Sequence, residues 1–100
     1  MNNFRTYELA KQYYFEYQKI KLKAPLKNQF ERASLSIVLN LSEGSGKPTR
    51  KDKRRFYYIA YASLNETRTL LELSSINHLE DLSNKLAAHI WKLAQNPGGV

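Results

Sequence analysis

One hundred residues and 11.7 kDa allow one domain with one core, and 42% apolar against 25% charged residues excludes a disordered chain. Sixteen Lys+Arg against nine Asp+Glu give a formal charge of +7, which favours nucleic acid, an anionic membrane or an acidic protein as partner. With no Cys, disulfides, thiolate zinc sites and Cys nucleophiles are excluded.

Four helices are expected, at residues 4–22, 27–43, 50–76 and 79–95, with 96–100 as a tail. Apolar residues recur three or four apart throughout, and no stretch alternates long enough for a strand. The first helix carries Tyr7, Ala10, Tyr14 and Tyr17 at this spacing, and the second Phe30, Ala33, Ile37 and Leu41. The third carries Phe56, Ile59, Ala60, Ser63 and Leu70, and the fourth Leu79, Leu82, Leu86, Ile90 and Leu93. Gly44 can take a left-handed conformation that stops the second helix, with Pro48 barring its continuation. Thr49 is placed to cap the third helix, with Asp52 three residues on. Asn77-His78 offers the break before the fourth. Long helices and short connections predict an all-α, antiparallel up-down-up-down four-helix bundle. No apolar run approaches the ~18 residues of a membrane span, and Met-Asn-Asn-Phe-Arg begins no signal peptide. A soluble, cytoplasmic protein without membrane contact is expected.

The first helix is apolar around more of its circumference than one bundle core requires. Its aromatics, with those of the third helix, predict a homo-oligomer buried through Tyr7, Tyr13, Tyr14, Tyr17, Tyr57 and Tyr61.

Catalysis is not expected. No Glu is followed by His at the third position, so the di-iron arrangement of bundle proteins is missing, and His78 and His89 have no evident partner. Gly44-Ser45-Gly46-Lys47-Pro48-Thr49 echoes a phosphate loop, but Leu41 stands where its first glycine belongs and Pro48 where Ser or Thr should follow the lysine. No metal or other cofactor is implied.

The basic residues are the informative ones. Residues 47–55 hold Lys47, Arg50, Lys51, Lys53, Arg54 and Arg55 against Asp52 alone. The second cluster, Lys19, Lys21, Lys23 and Lys27, falls at the other end, where Glu72, Glu80 and Asp81 offset it. Cations in the first turn of a helix oppose its macrodipole by about 0.3–1 kcal/mol each, whereas an anion there finds free N–H groups. The 47–55 end is therefore a candidate polyanion site. It has no interleaved aromatics for stacking, so backbone contact without base readout is expected, to RNA or DNA alike. Asn40 and Glu43, with Gly44, are read as structural: they bond the loop backbone or clamp Arg54 or Arg55. The competing reading is a protein-interaction subunit that docks an acidic partner through its aromatic faces.

Residues 29–44, from Gln29-Phe30-Glu31-Arg32-Ala33-Ser34 to Asn40-Leu41-Ser42-Glu43-Gly44, then Lys51–Arg55-Phe56 and Ile59-Ala60-Tyr61-Ala62-Ser63-Leu64-Asn65-Glu66, resemble the bacterial "four helix bundle protein" family. It includes proteins encoded in intervening sequences of large-subunit ribosomal RNA genes and the accessory variability determinant of diversity-generating retroelements. The typical pattern is R-A-x-x-S-I-x-x-N-I-A-E-G, a basic loop, then R-F-x-x-I-A-x-G-S-x-x-E. Leu41-Ser42 replaces the commoner Ile-Ala, and Ala62 stands where Gly is usual. The resemblance implies the same bundle, a homopentameric ring and nucleic-acid binding by a basic surface. It also implies a reverse transcriptase as partner in the retroelement branch. Its matching basic positions are Arg32, Lys51, Arg54 and Arg55.

Overall fold

The structure, a computed structural model, describes residues 4–98. Its helices are α1 Phe4–Gln18, α2 Leu26–Ser45, α3 Arg50–Leu73 and α4 Glu80–Gln95. Each packs on its neighbour in the chain and α4 closes against α1, which makes the antiparallel bundle anticipated from the spacing. The long axis is 40 Å and the cross-section 22 × 18 Å. The core is the set of residues three and four apart: Tyr13, Tyr17, Phe30, Ile37, Leu41, Tyr57, Leu64, Leu86 and Ile90 are all buried. Each such aliphatic or aromatic side chain contributes about 1.5–3 kcal/mol by leaving water.

Three boundaries differ from expectation, each for a local reason. α1 stops at Gln18, four residues early, and closes with tight bonds from the Lys19 and Ile20 amides to the Glu16 and Tyr17 carbonyls. Beyond it Ile20 and Leu22 lie half-buried against the core, and Ala24, which precedes a proline, is disfavoured in helical backbone. α3 ends at Leu73, before Asn77-His78. There the Ile76 amide donates to the Leu71 carbonyl at 2.9 Å and the Ser75 amide to Glu72 at 3.1 Å, with Ser75 left-handed at φ 56°. That is a Schellman stop built on serine rather than glycine, which is why no glycine marks it.

The third difference corrects the reading of Gly44. α2 continues through it to Ser45, and the capping residue is Gly46, at φ −87°, so no left-handed turn is used. Gly44 instead lies buried under α3. A Cβ there would stand 2.7 Å from Tyr57 Cε1 and 3.1 Å from Phe56 Cβ. The glycine is required by close helix approach, not by backbone conformation. Thr49 caps α3 as expected, its hydroxyl accepting from the Asp52 amide at 3.1 Å.

Candidate nucleic-acid interface

The antiparallel arrangement sets the N-terminus of α3 beside the C-termini of α2 and α4, and this decides what the basic residues do. Lys53 Nζ donates to the Ser45 carbonyl, in the last turn of α2, at 2.9 Å. Arg54 Nε donates to the Ala94 carbonyl, in the last turn of α4, at 3.1 Å. Terminal carbonyls lack intrahelical partners and carry the negative pole of the helix dipole. These two cations thus begin at a positive helix end and deliver their charge to two negative ones. The conflict with the macrodipole that made residues 47–55 look functional is largely resolved inside the fold at these positions. Arg50 is tied as well, donating to Asn96 Oδ1 at 3.1 Å while its guanidinium lies beside Gly98.

Lys47 pairs with Glu43 at 3.2 Å, and its ammonium lies 5.1 Å from the centre of the Phe56 ring. Arg55 packs on the same ring at 5.0 Å, and its side chain remains exposed. Lys51 is exposed and has no hydrogen-bond or ion-pair partner among the described residues. Lys51 and Arg55 are therefore the cations of this end most open to an external anion, with Lys92 of α4 exposed alongside.

The expected clamp of Glu43 on Arg54 or Arg55 is thus replaced by a pair with Lys47, one turn further along the chain. Asn40 does not reach the loop either. Its Nδ2 donates to the Ser36 carbonyl at 2.8 Å and to Ser36 Oγ at 3.0 Å, and Ser36 Oγ meets Ser63 Oγ at 2.8 Å. The result is a polar bridge between α2 and α3, below the turn. Arg32 is also separated from the group: thirteen residues before Ser45 on α2, it lies roughly 20 Å down the axis. It is exposed there, apart from the cations of residues 47–55.

The aromatic residues divide. Tyr13, Tyr17 and Tyr57 are buried inside the protomer and present no surface to a second copy, contrary to the expected interface. Tyr7, Tyr14 and Tyr61 stay half-buried, and Phe15 of α1 is exposed at 61%. The wide apolar face of α1 is thus largely absorbed by its own core. Exposed apolar surface appears instead at residues without a role in the expected interface: Leu35 and Leu39 on α2, Ile59 on α3, and Tyr58 beside Trp91. On a wheel of ~100° per residue, Leu35 and Leu39 fall nearly opposite the buried Phe30–Ile37–Leu41 stripe, a signal the sequence does carry.

At the other end of the bundle Lys19 pairs with Glu16 at 3.1 Å. Among the described residues no ion pair links the lysines of that end to Glu72, Glu80 or Asp81. His89, half-buried, is held below the ordinary imidazole pKa by desolvation and then by the positive charges of Arg5, Lys85 and Lys92. Among the described residues no three His, Asp or Glu side chains group as a metal site. No described helix is long and apolar enough to cross a membrane.

A family model described as "23S rRNA-intervening sequence protein" matches this chain over residues 4–96. No curated protein and no solved structure matches.

Proposed function

The chain belongs to the 23S rRNA-intervening sequence protein family, and from that premise we propose that it is a non-enzymatic accessory protein that binds nucleic acid through the end of the bundle formed by α2 and α3. The observation that carries the reading is the pair Lys51 and Arg55. Both are exposed within the first turn and a half of α3, and neither is paired with a carboxylate. Free amides and the positive dipole at that end add to their attraction for phosphate. Lys47, Arg50 and Lys92 raise the local potential, while Lys53 and Arg54 support the site by fixing the helix ends around it. Contacts of this kind bind the backbone of RNA or DNA without reading sequence.

Binding of 20-nucleotide RNA and DNA strands, followed by fluorescence anisotropy across a salt series, tests the reading. Affinity should fall steeply between 50 and 200 mM salt, as expected when phosphate binding releases counterions. Absent or salt-insensitive binding would refute it and favour a protein partner.

Self-association is a second component of the proposal, supported by Leu35, Leu39 and Ile59. The contact of Ser36 with Ser63, together with Gly44 beneath Phe56 and Tyr57, puts Leu39 and Ile59 at about one height on the outer surface of the α2–α3 pair. Exposed apolar side chains on adjoining helices favour association. A ring of five, and a reverse transcriptase as protein partner, follow from the family resemblance alone.

A further inference from the structure

The groove between α3 and α4 joins an aromatic cluster to the basic end. Trp91 is 49% exposed and Tyr58 is 40% exposed. Their rings meet edge-on at 6.1 Å, and the Tyr61 ring lies tilted to Trp91 at 5.4 Å. Gln95 Nε2 holds the Tyr58 hydroxyl at 3.1 Å. Beyond Trp91 an open groove of about 380 Å³ is lined by Tyr61, Arg68, Ala87, Ala88 and Trp91, so small side chains lie next to the indole. Arg68 is steadied there by Asn84 Oδ1 at 2.7 Å.

Charge distinguishes this face. Residues 53–65 of α3 and 82–95 of α4 contain no Asp or Glu, and Arg68 lines the groove itself. Lys51 and Tyr58 are seven residues apart, two turns along one face, so the free ammonium and the ring are separated by roughly 10 Å of helix. Arg55 precedes Tyr58 by three residues and so neighbours it on the same surface. An anionic chain with planar, uncharged side groups matches both features. A duplex would offer the phosphates but keep its bases stacked within.

We propose that this groove receives unpaired bases of single-stranded RNA or DNA, stacked on Trp91 and Tyr58, while Lys51 and Arg55 hold the adjoining phosphates. The inference rests on the phosphate-binding reading of the basic end and adds to it a preference for single strands. It also revises the expectation from sequence that no aromatics accompany the cations. Tyr58 lies just outside the 47–55 run, and Trp91 joins it only through the α3–α4 packing.

Trp91 is the only tryptophan, so its intrinsic fluorescence reports on this groove alone. Titration with oligo-dT and oligo-U of twenty nucleotides should quench it, and a twenty-base-pair duplex should not. Trp91→Ala should weaken single-strand binding roughly tenfold while leaving duplex affinity and the salt slope unchanged, and Trp91→Phe should fall between. Oligo-dT compared with oligo-U decides which nucleic acid is preferred. If both strands bind with a steep salt dependence but neither quenches the fluorescence nor is sensitive to Trp91→Ala, the stacking inference is overturned and the phosphate reading stands. If no strand or duplex binds, both fall together. A lower sedimentation mass for Trp91→Ala than for the wild type would assign the groove to a second copy of this chain and overturn the inference. Should Trp91→Ala fail to fold, quenching in the wild-type protein still decides.

Discussion

Arg54 Nε lies 3.1 Å from the Ala94 carbonyl, so a cation near the end of the basic run closes the end of the last helix. Its neighbour Lys53 does the same for α2 at Ser45. Arg54→Ala and Lys53→Ala should each lower stability by about 1–3 kcal/mol, the usual cost of removing a hydrogen bond to a charged group. Neither should change the salt slope of nucleic-acid binding. Urea melts and salt titrations of the two variants check this, and a flattened slope at full stability would place them among the phosphate-binding groups instead.

Gly44→Ala provides a separate test of the helix-packing account. The added methyl would meet the Tyr57 ring at 2.7 Å, and that ring is buried and unable to swing clear. Overpacking of this kind costs roughly 1–3 kcal/mol, enough to outweigh the gain in helix propensity from replacing glycine. A melting temperature unchanged or raised in Gly44→Ala would show that α2 and α3 can part there without penalty.

Two buried tyrosines should respond in opposite directions to removal of their hydroxyls. Thr67 donates to the Leu64 carbonyl at 2.6 Å, so its oxygen can only accept from Tyr13, at 2.8 Å across the bundle diagonal. Tyr13→Phe removes that bond and should cost about 1 kcal/mol. The Tyr17 hydroxyl is buried without a partner among the described residues, so Tyr17→Phe should be neutral or stabilising by up to ~1 kcal/mol. Burial, with Tyr13 and Glu31 nearby, also pushes the Tyr17 phenol well above its ordinary pKa of 10.0. A raised pKa in the folded state gives stability that is whole below pH 10 and is lost as pH rises past it, because only the unfolded chain releases the proton there. Tyr17→Phe should therefore flatten the alkaline limb of the stability profile, as read by melting temperature from pH 8 to 11.

On the acid side the relevant group is His89, whose folded pKa is depressed below 6.5. As pH falls through about 6.5 the unfolded chain takes up the proton before the folded one does, so stability declines in that window. In a His78→Gln background, the urea midpoint should drop between pH 7.5 and pH 5.5, and His89→Gln should remove most of the drop. A midpoint insensitive to His89→Gln over this range would contradict the assignment.

The helices are legible in the sequence because packing reuses one period, three and four residues, in every element. Thr49 is legible too, since a cap is a local interaction. The stop at Ser75 is not, because a serine takes the left-handed position that glycine usually marks. Gly44 stands out in the sequence for the wrong reason: one-dimensional spacing cannot separate a glycine that turns the chain from one that admits a ring of another helix. The same limit explains the basic end. Which of six neighbouring cations are occupied depends on where the α2 and α4 termini fall, and that is set only by antiparallel packing. Trp91 is hidden for the same reason, its partners Tyr58 and Tyr61 being about thirty residues away in the chain.

The most direct test of the central claim is the slope of log affinity against log salt for a twenty-nucleotide strand, measured for the wild type and for Lys51→Ala/Arg55→Ala. The slope should flatten by about 0.7–0.9 for each phosphate the double variant no longer neutralises, with its melting temperature close to that of the wild type. Equal slopes for the two proteins, or wild-type binding unaffected between 50 and 200 mM salt, would contradict the assignment of this end to nucleic acid.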